Sequence, residues 1–187
     1  DLAAGQVEHA GQSTVGPLPA AAAPRAREAS AWHHPDVQQR LPSLLARPIA
    51  FGHRGARAHA PDNTLDSFAL ALTLGATGLE SDAWLTADGI PVLDHDGVVR
   101  IGRRRRPISE LRRDQLPPHV PELTELFQRC GTDYHLSLDL KDPRVARPVI
   151  DLVRATAPAL LPRVWLCHPD VAVLVELRAD APEVKLV

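Results

Sequence analysis

The stretch Gly78-Leu79-Glu80-Ser81-Asp82-Ala83-Trp84-Leu85 reads as a β-strand, and its two carboxylates set the architecture expected around it. Glu80 and Asp82 are two residues apart, so both side chains leave the same face. Leu79, Ala83, Trp84 and Leu85 make the strand apolar enough to be buried. Carboxylates side by side on a strand repel each other unless something positive sits between them. A divalent cation is the natural partner, because hard cations take oxygen ligands. The plainer alternative is an edge strand with both carboxylates in water.

Upstream, Ile49-Ala50-Phe51-Gly52 predicts a short strand. A polar loop follows, and then Leu65, Phe68, Ala69 and Leu72 fall at the spacing of an amphipathic helix. Asn63 or Thr64 is placed to cap its start, and Gly75 stands where a C′ glycine belongs. Downstream, Asp88-Gly89 signals a turn, and Pro91–Leu93 is expected as a short extended continuation. Helices are predicted over Leu123–Cys130, Val145–Ala155 and Val171–Arg178. Strands are predicted over His135–Leu140, Val164–Cys167 and from Val184. Strand and helix alternate with connections that suit parallel pairing. This pattern occupies residues 48–187, about four to five βα units, whereas a closed eight-stranded barrel typically takes ~250 residues. The expectation is an open parallel sheet or the front part of a barrel.

Residues 1–47 differ. They are rich in Ala, Pro, Gly and Gln, and read as a flexible extension with a short helix near Asp36–Leu45. No charged segment leads into an apolar one, so no signal peptide is recognisable. No apolar run approaches the ~18 residues of a membrane span, and a cytoplasmic location is expected. The chain contains no Met, as in a processed product or a fragment. With 44% hydrophobic and 24% charged residues the composition is globular, and a net charge of −2 gives no basic field for nucleic acid. Aromatic residues are only 4%, which argues further against base stacking. Cys130 and Cys167 form no CxxC pair and read as small buried apolar residues.

Several polar residues cluster at predicted strand ends. His53 and Arg54 leave the first strand between Gly52 and Gly55, where glycine lets a ligand approach the backbone. His95 follows Pro91–Leu93 and stands between Asp94 and Asp96; a neighbouring carboxylate can orient its ring for general acid or base work. Asp139 and Lys141 alternate with Leu138 and Leu140, so both face one side. Asp139 is a candidate third metal oxygen and Lys141 a candidate phosphate contact; the plainer reading is a surface ion pair. Arg103–Arg106 reads as a solvated loop, the alternative being attraction to anionic headgroups at a membrane surface.

In order along the chain stand His53-Arg54-Gly55, Pro61-Asp62-Asn63-Thr64, Glu80-Ser81-Asp82, Thr86-Ala87-Asp88-Gly89 and Pro91-Val92-Leu93-Asp94-His95-Asp96. They are followed by Val120-Pro121-Glu122-Leu123-Thr124-Glu125 and Asp139-Leu140-Lys141. This ordered set resembles the glycerophosphodiester phosphodiesterase family over roughly residues 49–187. The resemblance implies the N-terminal part of a TIM-barrel hydrolase that uses one divalent cation, Mg²⁺ or Ca²⁺. It would cleave glycerophosphodiesters to glycerol 3-phosphate and an alcohol, within lipid metabolism. Carried over by position, Glu80, Asp82 and Asp139 look like the metal ligands, His53 and His95 like the acid–base pair, and Arg54 and Lys141 like the phosphate-binding residues. Two positions depart from the family pattern: Asp62 and Asp139 both stand where it usually has Glu. Asp139 is one methylene shorter, enough to move a metal by ~1 Å. Arg103–Arg106 falls where the family commonly inserts a small subdomain, so the cap over the substrate is expected to be reduced or different. Competing readings are a lipid phosphodiesterase or lyase of the sphingomyelinase D type, and a non-catalytic metal- and phosphate-binding module.

Overall fold

The computed structural model describes residues 47–187. The extension expected over residues 1–47 lies, but for Arg47, outside them, as does the short helix near Asp36–Leu45.

The described residues begin with β1 (Phe51–His53), α1 (Leu65–Thr73) and β2 (Gly78–Leu85). Thr64 caps α1 by accepting from the Ser67 N–H, and Gly75, with φ +96°, closes its end. Next come β3 (Pro91–Leu93), β4 (Val98–Ile101), β5 (Arg104–Pro107) and α2 (Leu123–Cys130). The remainder is β6 (His135–Leu140), α3 (Ala146–Thr156), β7 (Val164–Cys167), α4 (Val171–Asp180) and β8 (Lys185–Leu186). The main sheet runs β1-β2-β6-β7-β8, every neighbouring pair parallel. The sheet is open: among the described residues β1 and β8 are its two edges.

Period-two alternation divides the sheet into two faces. Leu79, Ser81 and Ala83 on β2, Leu136, Leu138 and Leu140 on β6, and Val164 and Leu166 on β7 are all buried. The helices cover this face with Phe68 and Ala71, Leu123 and Leu126, Val149, Ile150 and Val153, and Leu177. Each fully buried Leu contributes roughly 1.5–3 kcal/mol. The opposite face carries Glu80, Ser137, Asp139, Trp165 and Cys167, all only part-buried. It is the polar face, and the site lies on it.

Two expectations are corrected. Pro91–Leu93 does not continue β2 onward; it returns antiparallel to it, with Ala83 opposite Leu93 and Leu85 opposite Pro91. Thr86 makes the reversal. Its hydroxyl donates to Asp88 Oδ1 at 2.7 Å and accepts from the Ile90 N–H at 2.8 Å, while Gly89 takes φ +81°. Arg103–Arg106 is not a loop either. Arg104–Pro107 forms β5, paired antiparallel with β4 around the two-residue turn Gly102-Arg103. Gly102 at φ +60° in the first turn position suits the right-handed twist of such a ribbon. Buried Val99 anchors the ribbon among Ile108, Leu111 and Trp84. A run of arginines carries no apolar alternation, which is why sequence pattern does not reveal this strand. Among the described residues no helix is long and apolar enough to cross a membrane.

Candidate active site

The site is built where β2 exchanges one neighbour for another. β6 occupies one edge of β2 through Ala83, where Lys141 N–H bonds the Ala83 carbonyl. β1 occupies the other edge only as far as Glu80, whose carbonyl accepts from Arg54 N–H at 3.0 Å. From Asp82 onward that edge belongs to the returning β3, through Asp94 N–H to the Asp82 carbonyl at 3.1 Å. The handover falls between the two carboxylates, so side chains from three chain segments meet there.

Glu80, Asp82 and Asp139 form one cluster, their nearest oxygens all within 4.8 Å of one another. Register explains it: Asp82 pairs with Asp139 across the parallel β2–β6 ladder. Burial holds the Glu80 carboxyl above the ordinary carboxylate range; the Arg54 N–H, which bonds Glu80 Oε2 at 3.0 Å, opposes this, and the charges of Asp82 and Asp139 add to it. Three hard oxygen donors within reach of one ion are a donor set suited to a divalent cation.

Cations of the chain itself also converge on Asp82, which is 1% exposed. Lys141 Nζ lies 3.1 Å from Asp82 Oδ1 and 3.2 Å from Asp139 Oδ2. Burial works against the Lys141 charge, but its hydrogen bonds to Asp82 and Asp139 outweigh it, and its pKa stands above the ordinary lysine value. Arg54 Nε lies 3.3 Å from Asp82 Oδ2, buried and without an aligned hydrogen-bond acceptor. Arg54 itself has φ +52°, a left-handed conformation that turns its guanidinium into the site. His53 Nε2 stands 3.7 Å from Glu80 Oε2, with its ring more than half exposed.

His53, Arg54, Glu80, Asp82, Asp139 and Lys141 are thus brought together at one end of the sheet. His95 is placed differently. Backbone pairing of Asp94 with Asp82 delivers it to the same rim, but its ring is exposed and its Nδ1 is 2.8 Å from Asp96 Oδ1. Asp94, the other flanking acid, turns away to accept from Gly97 N–H at 2.7 Å.

Asn63 is not among the site residues expected from sequence, yet it is 4% exposed and touches the cluster. Its Nδ2 donates to Asp82 Oδ2 at 3.2 Å, and its Oδ1 accepts from the Ser81 hydroxyl at 2.8 Å. In sequence it reads as a helix cap on a par with Thr64; the cap falls to Thr64, which leaves the Asn63 amide for β2. Cys167 is the second addition. It pairs in register with Asp139, lies 3.6 Å from the Ser137 hydroxyl, and is a free, part-exposed thiol rather than a buried apolar residue. Burial raises its pKa, the Ser137 hydrogen bond opposes this, and the charges of Asp139 and Glu80 reinforce the rise. Beside the cluster a cavity of about 270 Å³ opens, lined by Asp139, Lys141, Cys167 and His168 among others.

Other motif residues hold the frame. Glu125 Oε2 accepts from Glu122 N–H at 2.8 Å at the start of α2, and Arg113 binds both Glu122 (2.7 Å) and Glu125 (3.1 Å). These contacts fix α2 rather than touch the cluster.

Residues 53–128 match the family model described as the glycerophosphoryl diester phosphodiesterase family. Glycerophosphodiester phosphodiesterase 1 of Homo sapiens is 52% identical over 53 residues, 28% of this chain and 16% of that protein. The fold is similar to a glycerophosphoryl diester phosphodiesterase from Silicibacter pomeroyi, with TM-score 0.65 and 27% identity, over 74% of this chain and 63% of that one. It is equally similar to a phosphodiesterase from Oleispira antarctica in complex with the product sn-glycerol-3-phosphate, with TM-score 0.65 and 25% identity, over 74% of this chain and 64% of that one. The chain therefore spans less than two thirds of each of these solved structures and a small part of the curated relative.

Proposed function

We propose that this chain, whose residues 53–128 match the glycerophosphoryl diester phosphodiesterase family model, contributes the catalytic centre of a metal-dependent hydrolase acting on glycerophosphodiesters. The products would be glycerol 3-phosphate and an alcohol, which places the reaction in lipid metabolism. The observation that carries this reading is the meeting of Glu80, Asp82 and Asp139 with Arg54 and Lys141 at one end of a parallel sheet. That is the end at which barrels of this type place their chemistry.

The residues fit a divalent cation. Glu80, Asp82 and Asp139 would hold one ion, Mg²⁺ or Ca²⁺, which when bound neutralises phosphate oxygens and the charge that develops on them. Arg54 and Lys141 bring further positive charge to the same place, and the buried, unaligned Nε of Arg54 is a donor for an anionic oxygen. His53 and His95 serve as the proton carriers: one takes the proton of the attacking hydroxyl, and the other gives a proton to the departing alcohol. Asp96 orients the His95 ring, and Glu80 stands beside His53. Asn63 fixes the carboxylate of Asp82 by donating to the oxygen that Arg54 also faces.

A second reading is a non-catalytic metal- and phosphate-binding module, which the exposed rings of His53 and His95 would also suit. One measurement separates the two. Glycerol 3-phosphate release from glycerophosphocholine is followed with Mg²⁺ or Ca²⁺, and again after EDTA. Metal-dependent release supports the hydrolase. Cation binding by calorimetry without any release would overturn it in favour of the module.

A further inference from the structure

The β4–β5 ribbon has no part in the chemistry above, and its charge is unusual. Arg100, Arg103, Arg104, Arg105 and Arg106 all lie within residues 98–107, which contain no acidic residue, and all five are exposed. The ladder sets Arg100 directly opposite Arg105. Like charges facing each other across a two-stranded ribbon are destabilising unless an anion screens them. Among the described residues, Arg106 alone of the five has a carboxylate partner, Glu110 at 3.3 Å. Arg100 donates instead to the Gly102 carbonyl at 3.2 Å, which holds the turn and leaves its charge unneutralised.

The tip is not purely polar. Ile101, 40% exposed, pairs with Arg104 beside the turn, on the opposite face of the ribbon from the Arg100–Arg105 pair. The base, by contrast, is fixed. Val99 is buried, and Gly97 sits so close against the Trp84 ring that an added Cβ would fall 2.3 Å from it. Trp84 shares the β2 face of Glu80 and Asp82 by period two. The ribbon therefore leaves the catalytic rim three residues after His95 and is anchored on the site side of β2.

We propose that the β4–β5 ribbon is a docking arm for an anionic lipid surface, with Arg100 and Arg103–Arg105 meeting headgroup phosphates and Ile101 entering the headgroup layer. Guanidinium pairs phosphate strongly, and an apolar tip among basic residues fits the boundary between headgroup and acyl chain. A nucleic-acid partner is disfavoured, because the ribbon has no aromatic residue for base stacking. The proposal rests on charge and placement and not on hydrolysis, so the two can fail separately.

The test is sedimentation of the intact protein with vesicles of equal parts phosphatidylglycerol and phosphatidylcholine, in EDTA so that no ion bridges the carboxylate cluster to lipid. Binding is expected to these vesicles, to be absent on pure phosphatidylcholine, and to fall as salt rises from about 0.1 M to about 0.5 M. Replacing Arg103, Arg104 and Arg105 together by Gln should weaken partitioning by on the order of 100-fold. The charge-matched control, Arg57→Gln with Arg129→Gln and Arg147→Gln, should weaken it far less, and circular dichroism of both variants should match the parent. Equal loss in the two variants, binding to neutral vesicles, or tighter binding to a single-stranded oligonucleotide than to the anionic vesicles would overturn the proposal.

Discussion

Asn63 Nδ2 donates to Asp82 Oδ2 at 3.2 Å while Asn63 Oδ1 accepts from Ser81 at 2.8 Å, so one amide joins two successive residues of β2. Both partners are buried, and Asn63 reaches them from a left-handed backbone with φ +54°. Asn tolerates that conformation better than most residues. Asn63→Gly keeps the backbone and removes the amide. We expect it to lower stability by about 1–3 kcal/mol, because the Ser81 hydroxyl and one Asp82 oxygen lose their partner. Cation affinity should fall by about 10- to 100-fold, since Asp82 is no longer held. Urea unfolding reads the first effect and calorimetric titration with Mg²⁺ or Ca²⁺ the second. Unchanged cation affinity would remove Asn63 from the site.

Glu80 and His53 are 3.7 Å apart but have different expected roles. Glu80→Ala should abolish calorimetric cation binding, because it deletes one of three carboxylates. His53→Ala should leave that binding within about threefold and lower glycerol 3-phosphate release by about 100-fold or more. If Glu80→Ala binds the cation as the parent does, the ligand set is wrong. If His53→Ala keeps full turnover, the proton carrier lies elsewhere.

The turn after His53 depends on Gly55. Its φ is +81°, and an added Cβ would fall 2.5 Å from Ser67 Oγ and 2.6 Å from the Ser67 carbonyl carbon. Backbone strain and overpacking act together, so Gly55→Ala should cost about 2 kcal/mol or more. Because Ser67 also donates to the Arg54 carbonyl at 3.2 Å, the same change should displace Arg54. A variant as stable as the parent in denaturant would refute the packing assigned to this turn.

Asp142 gives a pH signature away from the site. Its carboxylate caps the helical turn after β6 through Arg144 N–H at 3.0 Å and binds the Arg144 guanidinium, which holds its pKa below the ordinary 3.8. The guanidinium hydrogen bond is the main cause; partial burial opposes it, and the Arg144 N–H and charge lower it further. A depressed folded-state pKa stabilises the fold above the unfolded value and loses that contribution as pH falls through the folded one. Asp142→Ala should therefore destabilise by about 1 kcal/mol near neutral pH, and the difference from the parent should shrink as pH drops below about 3.8. Denaturation midpoints across pH would show this convergence; a constant gap would contradict it.

Local periodicity in the amino-acid sequence determined a good deal. Alternation along Gly78–Leu85 and His135–Leu140 placed Glu80 with Asp82 and Asp139 with Lys141, each pair on one face, because side-chain direction in a strand repeats every two residues. Helix spacing and cap chemistry located α1. Tertiary pairing decided the rest. Asp82 meets Asp139 because β2 and β6 lie in one parallel register, and no local pattern specifies a register between distant segments. Asn63 and Asp82, 19 residues apart in sequence, meet only once the loop after β1 folds over β2. The return of β3 and the arginine ribbon were likewise hidden, because the pairing of a strand of three or four residues is decided by the partner it bonds rather than by its own composition.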